Sequence, residues 1–161
     1  MKPTVLIVDD ELNIRESLAK ALRLSGYETV VAADGHEGVR AYREHRPNLV
    51  LLDLNMPQRN GWDTLKTIST INPLTPVIII TGRPGQHELA AAARVGALME
   101  KPLDVPRLLQ MVQALIAEPM AVRLERLARG NPGTIFCTPD HAAERGGSTL
   151  QPADRSTLRE I

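Results

Sequence analysis

The sequence is poor in cysteine and in aromatic residues and carries no excess of either charge, and each shortage excludes a class of function. Cys137 is the single cysteine, which leaves no intramolecular disulfide framework and no multi-cysteine metal cluster within one chain, and makes the cytoplasm the expected compartment. Nineteen Lys and Arg balance nineteen Asp and Glu, so there is no global field of the kind that draws a protein onto nucleic acid or an anionic membrane. Tyr27, Tyr42, Trp62 and Phe136 are all the aromatics there are, too few for the stacking platforms of single-strand binders. The core must therefore be aliphatic. Long apolar runs are also missing: Leu49–Leu52 and Pro76–Ile80 are strand length, far short of the roughly 20 residues that span a bilayer. The apolar stretch behind Met1-Lys2-Pro3 is too short for an export signal.

What the sequence does contain is a regular alternation. Short β-branched or Leu-rich runs at Thr4–Val8, Thr29–Ala32, Leu49–Leu52, Val77–Ile80 and Ala97–Glu100 predict five strands. Between and after them, apolar residues recur at helical spacing: Ile14, Leu18 and Leu22; Val39 and Tyr42; Leu65, Ile68 and Ile71; Leu89, Ala92 and Ala93; Leu108, Val112 and Leu115. Asp34 with Glu37 forms a capping-box pattern, Asp104 stands where it would cap the last helix, and Gly26 and Gly96 follow helical runs. Strands that are apolar throughout have no solvated side, so the pattern predicts a (βα)5 domain over residues 1–118, a doubly wound parallel five-stranded sheet with helices on both faces.

Residues 119–161 read as a short C-terminal tail, because Pro119, Pro132, Pro139 and Pro152 and the Gly146-Gly147 pair interrupt any period. A short helix over 120–129 is expected there, with Met120, Leu124 and Leu127 as its apolar stripe, and disorder beyond it. Arg123, Arg126 and Arg129 read as a solvated face, Cys137 as an exposed thiol, and His36, His45, His87 and His141 as scattered surface residues without metal spacing.

Chemistry gathers at the C-terminal ends of the strands, where parallel α/β sheets form their binding crevice. The first strand ends in Asp9-Asp10-Glu11, the third in Asp53, the fourth in Thr81-Gly82, and the fifth runs into Lys101-Pro102. Crowded carboxylates raise one another's pKa, and such a pocket makes sense if it holds a hard divalent cation; Mg²⁺, bound by one or two carboxylates with water and phosphate oxygens completing its shell, fits best. A carboxylate beside such a metal can act as a nucleophile toward phosphorus, and Asp53 is the candidate. Each residue also has an ordinary reading: Asp10 as a helix N-cap, Thr81-Gly82 as a turn, Lys101 as solvated surface. Taken together, and in this order, those readings fail.

In these residues the chain resembles the receiver domains of bacterial response regulators. The resemblance covers about residues 3–117 and rests on Asp9-Asp10, on Leu51-Leu52-Asp53-Leu54-Asn55-Met56-Pro57, on Thr81-Gly82 and on Lys101-Pro102. It implies a flavodoxin-like strand order 2-1-3-4-5. It implies Asp53 as phosphoacceptor, Asp10 as a direct Mg²⁺ ligand, Asp9 as a ligand through water and the Asn55 backbone carbonyl on the metal. Thr81 would approach the phosphoryl oxygens, Lys101 would pair with carboxylate and phosphate, and the Lys101–Pro102 bond would be cis. Asn55 and Arg83 stand at positions that tune dephosphorylation in that family. Leu98 departs from the pattern, since many receivers carry Tyr or Phe there.

The resemblance further implies a sensor histidine kinase or histidine phosphotransfer protein as phosphoryl donor. A downstream protein would read the face made by the fourth predicted helix, the fifth strand and the fifth predicted helix, roughly Gln86–Ile116. Direct DNA binding and membrane association are not expected, homodimerisation stays open, and the only catalysis expected is of the chain's own phosphorylation and dephosphorylation. The alternative is a receiver-shaped binding module that works without phosphorylation, as Leu98 suggests. A haloacid-dehalogenase type phosphohydrolase is disfavoured because Asp9 and Asp10 are adjacent, and a flavin-binding module because Asp9-Asp10-Glu11 would repel a phosphate.

Overall fold

The computed structural model describes residues 1–56, 61–86, 90, 93–129 and 135–137. In chain order the elements are β1 (Thr4–Val8), α1 (Leu12–Leu24), β2 (Glu28–Ala32), α2 (Gly35–His45), β3 (Leu49–Asp53), α3 (Gly61–Ile71), β4 (Val77–Thr81), β5 (Ala97–Glu100), α4 (Val105–Ala117), α5 (Met120–Arg129) and β6 (Ile135–Cys137). The fourth helix expected around Leu89–Ala93 lies largely outside the described residues, as does residue 57 of the Met-Pro pair.

All pairings are parallel, and β1 to β5 lie in the order 2-1-3-4-5 that the resemblance implied. Side chains alternate across the sheet, so each strand feeds two cores. Leu6, Val8, Val50, Leu52, Ile79 and Leu98 pack with Val39, Tyr42, Leu65 and Ile68 of α2 and α3. Val5, Ile7, Leu49, Leu51, Ile78, Ile80 and Met99 pack with Leu18 and Leu22 of α1 and Leu108, Met111, Val112 and Leu115 of α4. Burial on both faces is why β3 and β4 are apolar without alternation in sequence. β2 lies at an edge and is only partly buried.

The helix ends follow the expected chemistry in part. The Asp34 carboxylate accepts from the Glu37 amide at 2.8 Å, and Glu37 reaches back to the Ala33 amide at 2.7 Å. Asp104 accepts from the Arg107 amide at 3.1 Å. α1 differs: its N-cap is Glu11, whose side chain does not cap the helix, so Asp10 is not committed to that task.

The segment after Glu118 departs most from expectation. The helix over 120–129 is present, but the chain then returns to the sheet, and β6 extends it by pairing Ala97–Met99 with Ile135–Cys137. Three residues are too few to register as a period, and prolines flank them. Cys137 is consequently buried, not exposed, with its thiol 3.3 Å from the Met111 sulfur. The β5 edge of the expected reader face is covered by the chain's own β6. The expectation of disorder for 138–161 falls outside the described residues.

The orientation of α5 is also inverted relative to expectation. Met120 and Leu124 are exposed, whereas Arg126 is buried and Arg123 nearly so. The physical reason is polar: the Arg123 Nη2 donates to the carbonyls of Leu115 at 2.8 Å and Ile116 at 3.1 Å, which α4 leaves without helical partners at its C-terminus. Arg126 pairs with Glu118 in the joint between the two helices. The Arg129 side chain lies outside the described residues.

Candidate functional site

The parallel register brings the candidate residues to one end of the sheet. β1 pairs with β3 up to Val8 and Leu52, so Asp9 comes to lie beside Asp53, while on its other side the Asp9 amide continues the β1–β2 ladder to the Ala32 carbonyl. Thr81 ends β4 next to them, and the Lys101 amide bonds the Thr81 carbonyl at 2.8 Å. The Lys101–Pro102 peptide is cis. Asp9, Asp10 and Asp53 each offer a carboxylate oxygen, and these oxygens lie within 4.8 Å of one another. Asp9 and Asp53 are 1% exposed, while Asp10 is open to solvent.

Each buried carboxylate uses one oxygen to fix its own loop. Asp9 Oδ1 accepts from the Glu11 amide and Asp53 Oδ1 from the Asn55 amide, both at 2.8 Å. The second oxygens face Lys101, whose Nζ stands 3.2 Å from Asp53 Oδ2 and 3.6 Å from Asp9 Oδ2. The same ammonium reaches Glu11 Oε1 at 3.2 Å. One cation thus serves three carboxylates, with Asp10 close by, and Asp9 Oδ2 is left buried with no hydrogen-bond partner.

The electrostatics follow. Burial is the chief reason the Asp9 carboxyl is pushed above its ordinary value; the bond from the Glu11 amide opposes that, and the charge of Asp53 adds to it. For Lys101, burial works downward, but the charges of Asp53 and Asp9 and the contacts with Glu11 outweigh it, and the ammonium is held above its ordinary value. A hard cation would reverse the deficit at Asp9, and the donor set of three carboxylates with a free buried oxygen fits one.

Thr81 is fully buried, and its hydroxyl accepts from the Arg83 amide at 3.0 Å. It lines an open pocket of Asn55, Met56, Trp62, Arg83 and Gln86 that adjoins the carboxylates. Leu98 is wholly buried in the core between sheet and α3. Of the histidines, His36 and His45 are exposed and far from metal geometry; His87 and His141 lie outside the described residues.

Three contributors escaped the sequence reading. Glu11 shares Lys101 with the two buried aspartates. Arg15 Nη1 donates to the Asp9 carbonyl at 2.6 Å and pins the loop from α1. Gly61 opens α3 directly against the acceptor strand: a Cβ there would stand 2.6 Å from the Asp53 carbonyl oxygen and 2.6 Å from the Leu54 Cα. Only the Asp-Asp-Glu run and the helical i, i+4 relation of Glu11 and Arg15 hinted at the first two.

Comparison with known proteins assigns a family to this fold. Residues 5–113 match the model of the response regulator receiver domain family. The transcriptional regulatory protein PrrA of Mycobacterium tuberculosis is 34% identical over 116 residues, which are 71% of this chain and 50% of PrrA. The response regulator TrrA of Thermotoga maritima, solved in complex with Mg²⁺ and BeF, superposes with a TM-score of 0.65 at 30% identity, covering 71% of this chain and 99% of that one. The chemotaxis protein CheY4 of Vibrio cholerae gives a TM-score of 0.67 at 28% identity, over 71% and 99% of the two chains. The chain spans about half the length of the curated relatives it matches. Because PrrA is named as a transcriptional regulatory protein, the expectation of no DNA binding finds no support here. No helix among the described residues is long and apolar enough to cross a membrane.

Proposed function

Given that the chain belongs to the response regulator receiver domain family of two-component signalling, we propose that it is a phosphoryl-accepting switch in which Asp53 is the acceptor. The observation that supports this best is the pairing of Asp53 Oδ2 with Lys101 Nζ at 3.2 Å beside the partnerless Asp9 oxygen. Asp9, Asp10, Asp53 and the Asn55 backbone carbonyl would hold Mg²⁺, which supplies positive charge against the equatorial oxygens of the incoming phosphoryl group.

The donor is a phosphohistidine on a histidine kinase or histidine phosphotransfer protein. An Asp53 oxygen attacks phosphorus, the P–N bond breaks as the P–O bond forms, and the imidazole nitrogen keeps the electron pair and takes up a proton. Lys101, 3.2 Å from Asp53 Oδ2, would neutralise the aspartate before transfer and a phosphoryl oxygen after it. Thr81 can exchange its contact with the Arg83 backbone for a phosphoryl oxygen, which is how the new charge would alter the adjoining surface. Arg83 and Asn55 line the pocket beside Thr81 and would tune dephosphorylation from there. The chain acts on itself and not on a passing substrate, works in the cytoplasm, and transmits its state through protein contacts.

The test is intact-protein mass spectrometry after incubation with acetyl phosphate. Wild type with Mg²⁺ should gain one phosphoryl group, and neither the Asp53→Ala protein nor wild type in EDTA should. Failure of wild type to gain the adduct, together with failure to bind beryllofluoride, would leave the phosphorylation-independent module as the reading.

A further inference from the structure

Buried polar atoms without a hydrogen-bond partner are rare in folded proteins, and each calls for water, an ion or a ligand. Among the described residues there are five on side chains, and four of them fall at opposite ends of the sheet. Asp9 Oδ2 belongs to the acidic end. Glu118 Oε2, Arg123 Nε and Arg126 Nε belong to the joint between α4 and α5, near the start of β4 and the turn before β5.

That joint holds a cavity of about 230 Å³. Its walls are the start of β4, the turn before β5, Leu65 and Ser69 of α3, and three guanidinium side chains, Arg94, Arg123 and Arg126. No carboxylate lines it among the described residues. Glu118, the nearest counter-charge, sits behind the wall, paired with Arg126 and 3.8 Å from Arg123 Nε, too far for a hydrogen bond. Arg126 is 7% exposed. Arg94 Nη1 donates to the Leu127 carbonyl, which draws the turn before β5 against α5 and leaves the rest of that guanidinium for other partners. Arg123 donates from Nη2 to the Leu115 and Ile116 carbonyls and from Nη1 to that of Leu74, but in formal charge three cations face one carboxylate here, the reverse of the arrangement around Lys101, where one cation meets several carboxylates.

We propose that this cavity binds a small dianionic oxyanion, a phosphate group, free or as a small phosphomonoester, held by Arg94 and Arg126, with Arg123 adding its charge to the wall. Guanidinium forks match tetrahedral oxyanions in geometry and charge. The volume admits an inorganic ion or a short ester and lies below the roughly 300 Å³ at which pockets begin to take drug-sized ligands. The bound anion would tie α5 to the turn before β5 and so stabilise the docking of α5. The proposal is independent of phosphorylation at Asp53.

The experiment is a thermal-shift titration of the whole chain in EDTA, which keeps the acidic end free of metal. Orthophosphate and glycerol 2-phosphate are compared with KCl at matched ionic strength, and amide NMR shifts of Ser69, Thr75 and Gly96 report the location. The expected result is a saturable rise in melting temperature from at least one phosphate compound, with those amides shifting. Its half-saturation concentration should increase at least tenfold in Arg126→Gln or in Arg94→Gln. Arg94 is solvent-exposed, so its variant keeps the test valid if Arg126→Gln folds poorly. A rise no greater than KCl gives in wild type, or one that neither substitution weakens, would overturn the proposal.

Discussion

The two ends of the sheet are electrostatic opposites built by different routes. At the C-terminal ends of the strands, Asp9 and Asp53 are buried beside a single ammonium. At the N-terminal ends of β4 and β5, a buried Arg126 and a largely buried Arg123 lie beside a single carboxylate, Glu118. Buried ion pairs rarely gain stability when their charges are unequal, because desolvation is not repaid. The imbalance at the acidic end therefore reads as room for a ligand. The same logic applied to the arginine end is what extends the account beyond the switch.

The largest effect that would break this comparison is expected at the arginine end. Glu118→Gln leaves two guanidiniums without their counter-charge, and loss of one partner from a buried ionic network should cost about 3 kcal/mol. Urea unfolding would measure it, and phosphate should restore part of the loss. A change near zero would mean that α5 is held by its apolar contacts alone.

The acidic end should respond with the opposite sign. Asp9→Asn removes a buried carboxylate whose second oxygen has no partner, and in EDTA it should stabilise the fold by about 1–2 kcal/mol. The pH dependence follows from the upward shift of the Asp9 carboxyl in the folded state. Its contribution to stability is fully present below the ordinary carboxylate range and is lost as pH rises through and above it. The variant's advantage should thus be absent in strong acid and grow toward neutrality. Adding Mg²⁺ at neutral pH should reverse the order of wild type and variant. Urea midpoints across pH, with and without Mg²⁺, check each part.

The two ends also differ in how far they could be read from sequence. The acidic end was legible because its residues directly follow strands of unmistakable apolar character, and a parallel register fixes which strand ends meet. Asp9, Asp53, Thr81 and Lys101 needed only that geometry. Gly61 was not legible, since its role depends on how closely α3 approaches the backbone at Asp53 and Leu54. At the arginine end the helical period of α5 was visible, but its rotation was not. That rotation is set by the open carbonyls of Leu115 and Ile116 and by Glu118, partners that periodicity does not weigh. Cys137 was misread for a related reason: a three-residue strand carries no period of its own, and its burial comes from β5 and Met111.

The central claim is that the acidic end takes a divalent cation and then a phosphoryl group on Asp53. Its most direct test is an amide NMR titration of the metal-free chain with Mg²⁺, followed by beryllofluoride. Mg²⁺ should first shift residues 9–11 and 53–55, and beryllofluoride should then move Thr81, Arg83 and Lys101 in wild type but not in Asp53→Asn. Absence of a Mg²⁺ response at those residues, or a beryllofluoride response that survives Asp53→Asn, would contradict the account.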